Sequence, residues 1–168
     1  TGATGTGCST SADAGSFARL AFTSTGRPAI AYQRDSRLYV AYASEALTSS
    51  TYTWTCRWVD QSANTRGQGI SFVLSSSNLP HIAHLDMSGL GSLRYVTSTS
   101  DIATAISTGD TAFSKEMVAA TGNTVSHLST PSIQVNSSGT RYIAYYSAVS
   151  GGLVLASKTS SASSWTTS

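Results

Sequence analysis

The sequence predicts an all-β protein built from about three four-stranded antiparallel blades of the β-propeller type. Three observations carry that prediction. One segment recurs as Gly26-Arg27-Pro28-Ala29-Ile30-Ala31-Tyr32, Asn78-Leu79-Pro80-His81-Ile82-Ala83-His84 and Gly139-Thr140-Arg141-Tyr142-Ile143-Ala144-Tyr145, at a period of roughly 50 to 60 residues that marks a repeated supersecondary unit. Within each unit, short β-branched or aromatic runs alternate with turn residues at intervals of about ten, the pattern of an antiparallel meander. Helical periodicity is nearly absent. Four strands in a regular repeat suit blades better than a sandwich, whose strands do not recur so evenly.

In the first unit the strands are expected at residues 17–22, 29–33, 38–43 and 52–59, separated by turns at 24–26 and 34–36 and a looser connection over 44–50. The second unit repeats the order at 69–74, 81–85, 92–97 and 112–118, with a longer loop over 98–111. The third runs 132–135, 142–146 and 153–157 and ends with a short strand at 164–167. Trp165 there matches Trp54 and Phe113, but the counterparts of Arg57, Trp58 and Val59 are missing. The organisation expected is a Gly/Thr-rich arm or edge strand over 1–16, then a three-blade unit over 17–168 with blades at 17–60, 69–119 and 131–168.

Hydrophobic residues make up 40% of the 168 positions, enough for a sizeable core in one domain. Charged residues make up only 11%, and the abundant Ser and Thr suit exposed strands whose hydroxyls replace Lys and Glu. A net charge of +2 from scattered Lys and Arg leaves no footprint for nucleic acid or an anionic membrane. No apolar run approaches the roughly 18 residues that span a bilayer as a helix. The sequence opens at Thr1 with no initiator Met and no signal-peptide pattern, so a mature or excised product is expected. Cys8 and Cys56 form an even pair in a Ser/Thr-rich chain. A disulfide between them would tie the N-terminal arm to the end of the first unit and imply export; two unrelated thiols are the alternative. The sequon Asn136-Ser137-Ser138 adds little, because such triplets are frequent in Ser-rich chains.

Blades that read Ser-x-Gly-x-Pro-x-Ile-Ala-Tyr followed by Leu-x-Tyr-x resemble the repeats of bacterial extracellular β-propellers, which are grouped with sialidase-like propellers. The likeness runs from Phe17 to the end of the chain and bears on fold more than on function. Sialidase-type blades also carry an Asp-box, Ser-x-Asp-x-Gly-x-Thr-Trp. The matching stretches, 157–165 and 44–54, keep Trp165 and Trp54 but lack the Asp and the Gly, so they read as degenerate structural boxes.

A catalytic sialidase would need three arginines converging from different blades, a Tyr nucleophile with a Glu partner, and an Asp acid. Arg19, Arg27, Arg34 and Arg37 instead cluster with Asp35 in one unit, and Phe17-Ala18-Arg19-Leu20 only caricatures the family's Phe-Arg-Ile-Pro. Glu45 and Glu116 are the only glutamates, placed in a loop and an outer strand, which leaves paired-carboxylate chemistry without a good pair. His81 and His84, three apart on a strand, face opposite ways and cannot share a metal ion; His127 has no visible partner. No catalytic residue, metal or cofactor is expected.

Aromatic residues offer more, since Trp and Tyr between blades stack on pyranose faces. Trp54, Trp58, Tyr32, Tyr39, Tyr95, Tyr145 and Trp165 are available. Binding is expected at one end of the blades through Arg34, Asp35 and Asp86 after the second strands, Tyr146 at the equivalent place, and Trp58. The expected function is a non-enzymatic extracellular binding or adhesion module for glycan or a surface protein. The alternatives are a structural subunit of an extracellular assembly and half of a sialidase-like glycosidase. Three blades leave two open apolar faces, so the expected partner is a second copy of the chain or the remaining blades of a longer one.

Overall fold

The repeated segment is a turn code. In the computed structural model, which describes residues 7–8, 14–46, 48–60, 66–87, 91–120 and 130–168, each copy closes the first hairpin of a sheet in the same way. The amides of Gly26, Asn78 and Gly139 donate to the carbonyls of Thr23, Ser75 and Asn136. The side chains of those three residues accept in turn from the amides of Arg27 at 3.0 Å, Leu79 at 3.1 Å and Thr140 at 2.9 Å. The closing residue has φ of 75° at Gly26, 60° at Asn78 and 80° at Gly139. That left-handed conformation is open to Gly and, among side-chain-bearing residues, best tolerated by Asn.

Each turn launches the second strand of a four-stranded antiparallel sheet. The first sheet holds β1 (Ser16–Phe22), β2 (Pro28–Arg34), β3 (Arg37–Ala43) and β4 (Trp54–Asp60) in that order. The second holds β5 (Arg66–Leu74), β6 (Pro80–Asp86), β7 (Ser92–Ser98) and β8 (Phe113–Ala120), and the third β9 (Ser132–Val135), β10 (Arg141–Ser147), β11 (Gly152–Lys158) and β12 (Thr166–Thr167). Registers coincide between sheets: Ala31 pairs with Val40, Ala83 with Tyr95 and Ala144 with Leu155. Pro28 and Pro80 sit at the first position of their strands, where a missing ladder donor is tolerated. Most strands run one or two residues past their expected ends, β4 starts at Trp54, and β12 pairs through only two residues, opposite Ala156 and Ser157.

The sheets stack in sequence order, and β6 is buried along its whole length as the second strand of the middle sheet. Its alternating side chains serve two interfaces. Ile82 packs with Ala29, Ala31, Val40 and Phe72 against the first sheet. Ala83 and Leu85 pack with Tyr95, Ile133 and Ile143 against the third. The leading strand of each sheet makes the crossing contacts, β5 lying against β1, β2 and β3, and β9 against β5 and β6. Small Ala at the strand centres lets the sheets approach. Among the described residues the stack does not close into a ring.

The 98–111 stretch, expected to be a loop, contains the helix α1 (Ile102–Thr108) and runs into a 3-10 turn, Asp110–Ala112, so that the fourth strand starts at Phe113. Asp101 caps the helix by accepting from the amides of Ala103 at 3.0 Å and Thr104 at 3.2 Å, and these bonds with the Thr104 hydroxyl hold its carboxyl below the usual carboxylate range. Ile102, Ala105 and Ile106 bury one face against the first sheet. Two turns are too short to show periodicity in the sequence; the cap and this face make the helix.

Candidate functional site

A cleft of about 410 Å³ opens beside the β2–β3 hairpin of the first sheet, within the range of small-ligand pockets. Three parts of the chain build it. The hairpin and β4 supply Arg34, Tyr39, Arg57 and Trp58, the end of α1 supplies Thr108, Gly109 and Asp110, and the N-terminal arm supplies Gly7. The expected Cys8–Cys56 disulfide is formed, and it lays the arm across β4. Gly7 has φ of 76°, and a Cβ there would sit 2.3 Å from the Cys56 carbonyl oxygen, so only glycine permits this approach.

The hairpin turns on Asp35 and Ser36, with φ of 50° and 59°, the two-residue type whose twist matches the strands it joins. That tight turn aims Arg34 back along the sheet. Its guanidinium lies 5.1 Å from the centre of the Tyr39 ring, and its Nε donates to Asp35 Oδ2 at 3.1 Å. Tyr39 meets Trp58 edge to face at 6.5 Å, and Arg37 stands over the Trp58 indole at 5.8 Å. Trp58 is 39% exposed, a large apolar surface left beside cationic groups. Tyr32 stacks behind Tyr39 at 5.6 Å, and burial pushes its hydroxyl up to about 12. On the opposite wall the Arg57 Nε donates to the Ile106 carbonyl at 3.2 Å, which fixes the guanidinium, while Asp110 pairs with Lys115 at 2.7 Å.

Of the residues expected to bind, the structure brings Arg34 and Trp58 to this cleft, with Asp35 paired at its rim. Asp86 and Tyr146 do not line it. Asp86 is buried at the end of β6 and lies 3.2 Å from the Nε of Arg94, so it serves the second sheet. Tyr146 is exposed on the outer face of the third, opposite Leu153. Arg57 and Asp110 were not anticipated. Arg57 precedes Trp58 on a strand and so belongs to the other face by simple alternation, and Asp110 lies in the stretch read as loop.

Among the other titratable groups, one glutamate holds a loop while the other and both described histidines lie between sheets. The carboxylate of Glu45 accepts from the Thr53 amide at 2.7 Å, which holds it below the usual range. Glu116 bridges to the third sheet through Lys158 and Trp165. His81 and His84 leave β6 on opposite faces. His81 Nδ1 meets the Tyr95 hydroxyl at 2.5 Å, and His84 is buried with Asp60, Nε2 to Oδ2 3.6 Å. Burial, aided by the nearby Arg141 charge, lowers His81 to about 4. Among the described residues no group of three His, Cys, Asp or Glu is placed to hold a metal ion, and no helix is long and apolar enough to cross a membrane. His127 and most of the 1–16 arm lie outside the described residues.

No known family model matches the chain, and no curated protein matches it at a significant level.

Proposed function

We propose that the chain is a non-enzymatic, exported binding module whose three sheets are blades of a β-propeller type, and that its cleft takes a glycan carrying carboxylate or sulfate groups. The single observation that carries the ligand reading is the exposed Trp58 indole set beside Tyr39, Arg34 and Arg57. An aromatic face with a polar rim suits the apolar face of a pyranose. Guanidiniums pair with oxyanions in a fork that favours acidic sugars over neutral ones. The disulfide and the Ser/Thr-rich surface support export. The equivalent registers and the crossing of each leading strand onto the previous sheet support the blade reading.

Titration of oligogalacturonides and sulfated oligosaccharides against neutral cello-oligosaccharides, followed by calorimetry and tryptophan fluorescence, tests this. Acidic sugars are expected to bind, to weaken as salt is raised, and to lose binding in Trp58→Ala and Arg34→Ala. No binding at millimolar sugar sinks the glycan reading. The outer face of the third sheet, uncovered among the described residues, favours a second reading, a structural subunit of an extracellular assembly. The glycosidase reading draws less support, because Arg34 and Arg57 belong to one sheet, Glu45 holds a loop through the Thr53 amide and Glu116 bridges two sheets; no turnover of fluorogenic sialosides is expected.

A further inference from the structure

The three sheets are equivalent in sequence and register but not in cover. Leu38, Leu93 and Leu153 hold one position, opposite Gln33, Leu85 and Tyr146. The first two are 0% exposed and Leu153 is 82% exposed. Val40 and Tyr95 are buried at the position where Leu155 is exposed, and His81 where Tyr142 is. In the first sheet this face is covered by β5 together with Ile82 and α1, and in the second by β9 together with Ile143 and Trp165. The third sheet carries the same apolar face with nothing on it among the described residues.

Among the described residues, the complementary face is open along β1 at the other end of the stack. Leu20, Phe72 and Ile133 share a position, each opposite the isoleucine of its second strand. Phe72 is 6% and Ile133 1% exposed, because each is the leading-strand residue seated on the preceding sheet; Leu20 is 56% exposed. Phe22, two residues on and on the same face, is exposed as well. Among the described residues, the disulfide-tied arm covers this sheet over β2, β3 and β4, where Cys8 and Ala14 pack with Ile30, Tyr32, Tyr39, Ala41 and Cys56. It leaves β1 open.

We infer that the outer face of the third sheet docks a second copy of this chain, whose β1 seats Leu20 and Phe22 across β9, β10 and β11 as β5 sits across β1, β2 and β3. The chain's own two inter-sheet interfaces are the template, and the leftover pair of faces is the pair those interfaces join. The contact is head to tail, so each dimer keeps one face of each kind and association continues to a ring or a filament. This inference rests on the sheet stack and stands apart from the glycan reading.

The test is light scattering of the full 168-residue chain over micromolar to millimolar concentration, beside two surface variants. Leu153→Asp with Leu155→Asp removes one face, and Leu20→Asp with Phe22→Asp removes the other. Each variant alone is expected to be monomeric, with the circular dichroism of the parent, since all four positions are already exposed. Mixed in equal amounts, they are expected to form a dimer that stops at two chains, because one intact pair of faces remains. A parent that is monomeric throughout overturns the inference. So does association that survives the Leu20 and Phe22 substitutions, which would mean two third-sheet faces pair with each other.

Discussion

The carboxylate of Glu116 on β8 accepts the indole N–H of Trp165 at 3.0 Å, and the same oxygen, Oε2, takes the ammonium of Lys158 at 2.6 Å. Trp165 in turn stands edge-on to Tyr95 at 5.2 Å. One acid thus holds the outer part of the third sheet to the second, where β12 supplies only two paired residues. Glu116→Ala leaves a nearly buried ammonium and an indole N–H without their acceptor. The expected loss is about 1 to 3 kcal/mol, discounted because the carboxylate is partly exposed. Urea unfolding reads the total, and hydrogen exchange is expected to rise first in β11. An unchanged midpoint would discard the bridge.

His81 makes stability depend on acid. Its pKa of about 4 in the fold lies below the ordinary 6.5, so between these values the unfolded chain binds a proton that the folded one refuses. Stability therefore falls as pH drops from about 6.5 towards 4, by at most about 3 kcal/mol. The cause is burial against Tyr95 with the Arg141 charge nearby. His81→Gln is expected to flatten the dependence of the urea midpoint across that window, even if it lowers the midpoint itself. A variant with the parent's slope would assign the acid sensitivity elsewhere.

Asn78 does two things that can be separated. It accepts the left-handed conformation of its turn, and its side chain accepts from the Ser24 amide at 2.7 Å and donates to the Ser24 hydroxyl at 3.1 Å, pinning the first turn of one sheet to that of the next. Asn78→Ala loses both and is expected to cost about 2 to 3 kcal/mol. Asn78→Gly keeps the conformation and is expected to cost about 1 kcal/mol. Thermal unfolding ranks them, and equal losses would remove the conformational half of the account.

The Cys8–Cys56 bond closes a loop with a sequence separation of 48, for which chain entropy gives a stabilisation of about 4 kcal/mol. Cys8→Ser is expected to lower stability by up to that amount and to release the arm from Tyr39 and Cys56. Because Gly7 is one wall of the cleft, ligand binding should weaken in the same variant. Melts with and without reductant check the first effect and sugar titration the second. Insensitivity to reductant would show the arm to be held by packing alone.

Much of the fold was legible because it is written in short-range chemistry. The Gly26, Asn78 and Gly139 positions announce a turn, Pro28 and Pro80 start the strands that follow, and the alternation in Leu38 to Ala43 marks a strand. The helix at Ile102–Thr108 was not legible, since its cap and its three buried residues make sense only against the first sheet. The cleft was half legible. Arg34 and Trp58 stood out as a charge at a turn and an aromatic near a strand end, but Arg57 reaches the same space only because β4 is an edge strand with α1 beside it.

By itself the sequence determined three like units, the strands within them and the cysteine pair, since turns and alternation depend on residues a few positions apart. Only the tertiary structure decided burial. Leu93 and Leu153 share one place in their sheets, yet one lies under a neighbouring sheet and the other faces outward. Burial is a property of what packs on a surface, and no local pattern encodes the neighbour.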